Sequence, residues 1–131
     1  MEVILLFLAD FITKRVFEKV SFTIIPGILD FQFIRNTGVG FGLFKGYNLI
    51  FIFVALLFLF LLYKYKEEMN KFSLVLLTSG VLGNLTDRIL YGGVTDFIAF
   101  SFFPTFNLAD AYITIAVFWL VIEEIKHKSV V

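Results

Sequence analysis

The stretch Tyr47–Leu62, YNLIFIFVALLFLFLL, is the clearest apolar run in the chain. A membrane-crossing helix needs about 20 predominantly apolar residues, with about 17–25 tolerated. The run is slightly short, so Tyr63 or residues before Tyr47 must contribute, and tyrosines at its ends suit a membrane–water interface. A span over about 47–63 is therefore expected, and the segments beside it are read in relation to it. Lys64–Lys71 follows as a polar turn. A second apolar segment covers about 72–91, its latter half carrying Asn84, Asp87 and Arg88. A further one covers about 108–125 and leaves through a charged exit, Glu123–Lys128. Upstream, Val3–Ala9 is strongly apolar but is followed by Asp10, Lys14, Arg15 and Glu18. A helix over about 1–20 can cross only if its second half is sheltered by the other helices or snorkels to the interface. With no basic leader and no small-residue cleavage site, this segment reads as a retained first span.

Composition agrees. Of 131 residues, 60% are hydrophobic, against about 45–50% in soluble domains, and the mean hydropathy is +0.93. The expected architecture is an all-α integral membrane protein of four helices in one domain, residues 1–131. A small extracytoplasmic β-sheet is expected mainly from the first connector. In that connector, residues 21–46, Phe31-Gln-Phe-Ile34 and the Pro26-Gly27 turn point to short strands. In the second, residues 92–106, Gly92-Gly93 reads as a turn and Val94–Ile98 as a short extended piece.

The same figures exclude several functions. Eleven basic and 11 acidic residues give zero formal net charge, which argues against a nucleic-acid surface. Without cysteine there is no disulfide framework, thiolate metal site or cysteine nucleophile. Four spans put connectors 1–2 and 3–4 on one side of the membrane and both termini with the 2–3 turn on the other. Lys64, Lys66, Lys71, Lys126 and Lys128 mark the terminal side as cytoplasmic, although Arg15, Lys19, Arg35 and Lys45 lie opposite. The single histidine, His127, is then about 30 Å from the other face and can serve no site there.

The unusual polar residues collect on that outer side: Asp10, Lys14, Asn36, Asn84, Asp87, Arg88, Asp96, Asn107 and Asp110. Each ionisable group in a span costs about 2.5–3.5 kcal/mol on insertion scales, so several at one depth must be paired or used. Asn84, Asp87 and Arg88 stand at i, i+3 and i+4 and share a helix face; Asp10 and Lys14 have the i, i+4 spacing of an ion pair. Asn107 and Asp110, at i, i+3, read as an inward stripe. Two carboxylates in a low-dielectric pocket share one proton, so one can act as base and the other as acid on an amide. Asp87, Asp96 and Asp110 all qualify, and spacing alone does not choose among them. A proton-coupled carrier or a non-catalytic assembly factor also fits such carboxylates, though a carrier would distribute charge through the bilayer depth. As structural alternatives, Asp110 can serve the helix dipole and Asn36 can be a turn residue beside Gly38.

The motifs resemble those of the lipoprotein signal peptidases (signal peptidase II). Asn36-Thr-Gly-Val-Gly-Phe-Gly-Leu-Phe44 is similar to Asn-x-Gly-Ala-Ala-Phe, Gly83-Asn-Leu-Thr-Asp-Arg88 to Gly-Asn-x-x-Asp-Arg, and Val94-Thr-Asp-Phe97 to Val-x-Asp-Phe. Phe106-Asn-Leu-Ala-Asp110 resembles Phe-Asn-x-Ala-Asp, and Asp10-Phe-Ile-Thr-Lys14 resembles Asp-Gln-x-Thr-Lys. The resemblance implies an intramembrane aspartic endopeptidase with Asp96 and Asp110 as the catalytic pair. Asn36, Gly38, Asn84 and Arg88 would contact substrate, and Asp10, Lys14, Asp87, Asn107 and Ala109 would support the pocket. It implies no metal and no cofactor, prolipoprotein substrates cut before a diacylglyceryl-modified cysteine, and contact with membrane lipid. A monomer sensitive to globomycin-type inhibitors is expected, in the bacterial inner membrane with its site toward the outer leaflet. Phe11 in place of the usual Gln and Gly40 in place of Ala depart from the pattern. Gly38, Gly40, Gly42 and Gly46 would give the first connector the freedom of a lid.

Overall fold

The computed structural model describes residues 1–38, 44 and 46–128; Gly40, Gly42 and Lys45, named above, lie outside the described residues. Four helices, α1 (Glu2–Phe17), α2 (Asn48–Lys64), α3 (Lys71–Tyr91) and α4 (Leu108–Lys128), are joined by three strands, β1 (Phe22–Ile25), β2 (Leu29–Asn36) and β3 (Val94–Phe100).

Helix α3 is the centre and packs against α1, α2 and α4. Small residues on α3 permit the close approach. A Cβ on Gly80 would lie 2.6 Å from the Ala109 carbonyl oxygen, and one on Gly83 would collide with the Asp10 carboxylate. Leu62, Leu76, Leu77 and Ala116 form the buried apolar core at the opposite end from the sheet. The ends of α3 are fixed by local chemistry. Asn70 caps its start by accepting a hydrogen bond from the Ser73 N–H at 2.7 Å, and Gly92 ends it in the left-handed conformation, φ 71°, which costs glycine nothing.

The sheet is antiparallel in the order β1-β2-β3, so the first connector supplies two strands and the second supplies the third. Gly27, φ 73°, makes the β1–β2 turn. Register sets Arg35 opposite Thr95 and Asn36 opposite Val94. Side chains alternate across a strand, so Asn36, Val94 and Asp96 share one face while Arg35, Thr95 and Phe97 share the other. That second face meets the end of α1, where Phe17 stacks on Phe97 at 4.6 Å and contacts Phe31 at 4.8 Å.

The helices differ from the expected spans in two details. Helix α1 ends at Phe17 instead of continuing to about 20, because the β-branched and aromatic run after Ser21 enters the sheet. Among the described residues, no helix is long and apolar enough to cross a membrane. The apolar α2 has only 17 residues, while α3 carries Lys71, Asp87 and Arg88 and α4 carries Asp110, Glu123 and Glu124.

Candidate active site

Beyond β3 the chain turns back and pairs with it. Ile98 N–H donates to the Phe106 carbonyl at 2.9 Å and Phe106 N–H to the Ile98 carbonyl at 3.0 Å. This short return delivers Asn107 beside Asp96. Asn107 is the N-cap of α4. Its side-chain oxygen accepts from the Asp110 N–H at 2.9 Å, and the Asp110 carboxylate accepts from the Asn107 N–H at 3.2 Å. This is a capping box with aspartate in the acidic position, so the i, i+3 spacing reflects a helix start and not an inward stripe.

The Asn107 amide nitrogen, fully buried, donates to Asp96 Oδ1 at 2.9 Å. One residue therefore ties both carboxyl groups together. The other oxygen of each has its own amide donor: Asn36 gives Asp96 Oδ2 a bond of 3.0 Å and Asn84 gives Asp110 Oδ1 one of 2.8 Å. Asn36 is fixed in turn, because its side-chain oxygen accepts from the Gly38 N–H at 3.0 Å. Burial raises the Asp96 pKa from 3.8 to about 7, and the Asp110 charge pushes the same way. The Asn36 bond, the Lys14 charge and the Asn107 bond oppose the rise.

A cavity of about 590 Å³ opens between the sheet, α3 and α4. Asn36, Gly38, Asn84, Arg88, Asp96 and Asp110 all line it, with Val94, Phe103 and Ile115 supplying apolar wall and Ala111 and Thr114 small or polar wall. All of the residues expected to be catalytic or to contact substrate thus meet in one space. Arg88 is oriented by a bond of 2.8 Å to the Gly38 carbonyl and one of 3.2 Å to Asn48 Oδ1.

Asp10, Lys14, Asp87, Asn107 and Ala109 are fully buried, outside the lining and behind it. Lys14 sits 2.7 Å from Asp10 as the i, i+4 spacing predicts, and donates to Asn84 Oδ1 at 3.0 Å. Asp10 accepts from the Ala109 N–H at 2.8 Å, holding the first turn of α4. Asp87 turns away from the cavity and binds the Arg15 guanidinium and the Thr95 N–H, at 2.7 and 2.8 Å. Geometry thus separates Asp87 from Asp96 and Asp110, which sequence spacing could not. Among the described residues, no group of three or more His, Cys, Asp or Glu side chains could hold a metal ion.

Sequence reading missed Asn48, Arg15, Glu18, Arg35 and Thr95. Apart from the i, i+3 pair Arg15–Glu18, the contacts that define them join residues far apart in the chain, which leave no spacing signature. Asn107–Asp110 did carry a legible one, the capping-box interval at a helix start.

Comparison with known proteins agrees in sequence and in shape. The sequence model of the family described as "Signal peptidase (SPase) II" matches residues 2–126. A lipoprotein signal peptidase of Microcystis aeruginosa is 34% identical over 130 residues, covering 91% of this chain and 83% of that protein. One of Chlamydia trachomatis is 39% identical over 122 residues, covering 85% and 69%. A solved bacterial membrane enzyme superposes with a TM-score of 0.89 at 31% identity, over 98% of this chain and 87% of that one. With motifs, topology and family match in agreement over nearly its whole length, the chain belongs to the signal peptidase II family.

Proposed function

We propose that this protein is an intramembrane aspartic endopeptidase that removes the signal peptide from diacylglyceryl-modified prolipoproteins, cutting before the lipidated cysteine. The observation that carries the reading is the pair Asp96 and Asp110, facing one cavity and joined through Asn107. Their hydrogen-bond donors are neutral amides, so among the described residues no salt bridge holds either group firmly as a carboxylate.

Within the pair we assign Asp96 as the acid and Asp110 as the base. Asp110 takes a proton from water, and the water oxygen bonds to the scissile carbonyl carbon. Asp96 gives its proton to the carbonyl oxygen. As the C–N bond breaks, the nitrogen leaves with the proton that Asp110 gained, and a hydroxyl of the collapsing diol returns its proton to Asp96, which leaves a carboxylic acid and restores the pair. Arg88 and Asn84 at the cavity wall would orient the substrate backbone, and the apolar wall would take the residues before the cysteine.

The membrane setting is part of this proposal. Helices that fail singly can cross as a bundle when their polar groups face one another. Asn84 on α3 binds Asp110 on α4, and Lys14 on α1 binds Asn84. The outward residues of α2, such as Leu49, Phe53, Leu57 and Phe60, stay exposed and would face lipid. Both termini would be cytoplasmic in a bacterial inner membrane, with the sheet and the site toward the outer leaflet.

Asp96→Asn and Asp110→Asn should each lower cleavage of a lipidated prolipoprotein by at least about 10²–10⁴-fold, with thermal unfolding in detergent showing a folded protein. Wild-type cleavage by either variant would reject the reading.

A further inference from the structure

The face of β3 opposite the cavity carries an arrangement that the peptidase chemistry does not use. Thr95, fully buried, precedes Asp96 and points the other way. All of its polar atoms are engaged. Its hydroxyl accepts from Arg35 at 2.7 Å and from Arg15 at 3.1 Å, and donates to Glu18 at 3.3 Å. Its N–H donates to Asp87 and its carbonyl accepts from Asn107 at 3.2 Å. Glu18 bridges the two arginines, 3.1 Å from Arg15 and 2.8 Å from Arg35. Both guanidinium groups lie over the Tyr91 ring, at 4.0 and 5.0 Å. Two cations balance two carboxylates, so the cluster is neutral while drawing on α1, β2, α3 and β3.

Register gives this cluster its consequence. Arg35 and Thr95 are cross-strand partners, and each is followed in sequence by a residue of the cavity, Asn36 and Asp96. Fixing one pair from behind fixes the backbone that presents the other. We propose that Thr95, with Arg15, Glu18 and Arg35, forms a positioning clamp that holds Asp96 and Asn36 at the distance Asp110 requires. The inference rests on the dyad reading and adds residues that act through the strand without touching substrate.

The test compares Thr95→Val, which keeps the shape and loses the hydroxyl, with Thr95→Ser, which keeps the hydroxyl. Glu18→Gln, at a partly exposed position just past the end of α1, tests the same clamp from that side. All are assayed on a lipidated prolipoprotein beside Asp96→Asn and Asp110→Asn. A displacement of about 1 Å can cost up to about 10²-fold in rate. Thr95→Val should lower kcat about tenfold with KM within about twofold, and Thr95→Ser should return kcat to within about twofold of wild type. Glu18→Gln should lower kcat with the same unchanged KM. Wild-type kcat in folded Thr95→Val, a loss confined to KM, or failure of serine to restore it would overturn the clamp. If Thr95→Val does not fold, an unchanged kcat in Glu18→Gln overturns it. Activity retained by the two aspartate variants would remove the dyad reading and the clamp together, whereas inactive aspartate variants beside wild-type-like clamp variants would remove the clamp alone.

Discussion

Asp96 and Asp87 are both buried aspartates on the same side of the molecule, and their partners set them apart. Asp87 meets the Arg15 guanidinium at 2.7 Å, whereas among the described residues Asp96 is hydrogen-bonded by the amides of Asn36 and Asn107. Without a cation in contact, burial and the neighbouring Asp110 charge lift the Asp96 pKa to about 7. The sign of the consequence follows by linkage. Folding raises this pKa from 3.8, so the folded state binds more protons than the unfolded state between about pH 4 and 7. The stabilisation through Asp96 is complete below about pH 4, declines as pH rises through that window and is gone above about 7. Asp96→Asn should therefore remove a fall in thermal stability between pH 4 and 7, measured by unfolding in detergent; an unchanged slope would contradict the raised pKa. In the proposed mechanism, the alkaline limb of kcat/KM should lie near pH 7, where Asp96 would lose the proton it donates. Replacing Asp110 by Asn removes a charge that raises the Asp96 pKa, so the Asp96 carboxyl, followed by infrared absorption, should titrate at lower pH in that variant.

At the scale of elements, the site depends on how closely α1 and α4 approach α3. Gly83 makes that approach possible, since a Cβ there would collide with Asp10 and come within 3.3 Å of the Ala109 Cβ. Asp10 is also the group that holds the Ala109 N–H one residue before Asp110. Gly83→Ala should therefore cost about 1–3 kcal/mol of overpacking and should lower kcat as well, by moving the first turn of α4. Thermal unfolding and turnover measured on the same sample check this; a full loss of stability with unchanged kcat would show that the turn does not move. Much at this scale was legible in the sequence. The apolar run at 47–62, the Gly92-Gly93 turn and the Val94–Ile98 segment marked their elements because each carries its signal locally. Pairing was not legible: Asn36 meets Val94 and Arg35 meets Thr95 across the interval between two connectors, and no local spacing records such a partner. The same limit hid the cluster of Arg15, Glu18, Arg35 and Thr95.

For the whole molecule, hydropathy located the four helices but described them too generously as spans. At about 1.5 Å per residue, the 17 residues of α2 reach about 26 Å, short of the roughly 30 Å hydrocarbon core, and need Tyr47, Tyr63 and Tyr65 at the interfaces. Helix α3 has the length, 21 residues, but carries Asp87 and Arg88, each about 2.5–3.5 kcal/mol unfavourable at the centre of a bilayer and less toward its edge. In the folded chain these charges are answered by other elements: Asp87 by Arg15 and Lys14, and Arg88 by Asn48 and the Gly38 carbonyl. The same residues that build the site thus weaken the insertion of the helix bearing them, and the bundle, not the single helix, becomes the unit that the membrane accepts. An insertion assay on isolated segments separates the two contributions. The segment 47–65, apolar but with a helix of only 17 residues, should insert better than 71–91, which should insert poorly. The pair Asp87→Leu and Arg88→Leu should raise insertion of the isolated 71–91 segment severalfold, yet in the full chain the same pair should abolish cleavage, because Arg15 and the Thr95 N–H lose the carboxylate that binds them and Arg88 leaves the cavity. Efficient insertion of unmodified 71–91 would show that α3 needs no partners, and the bundle argument would fail while the dyad assignment stood.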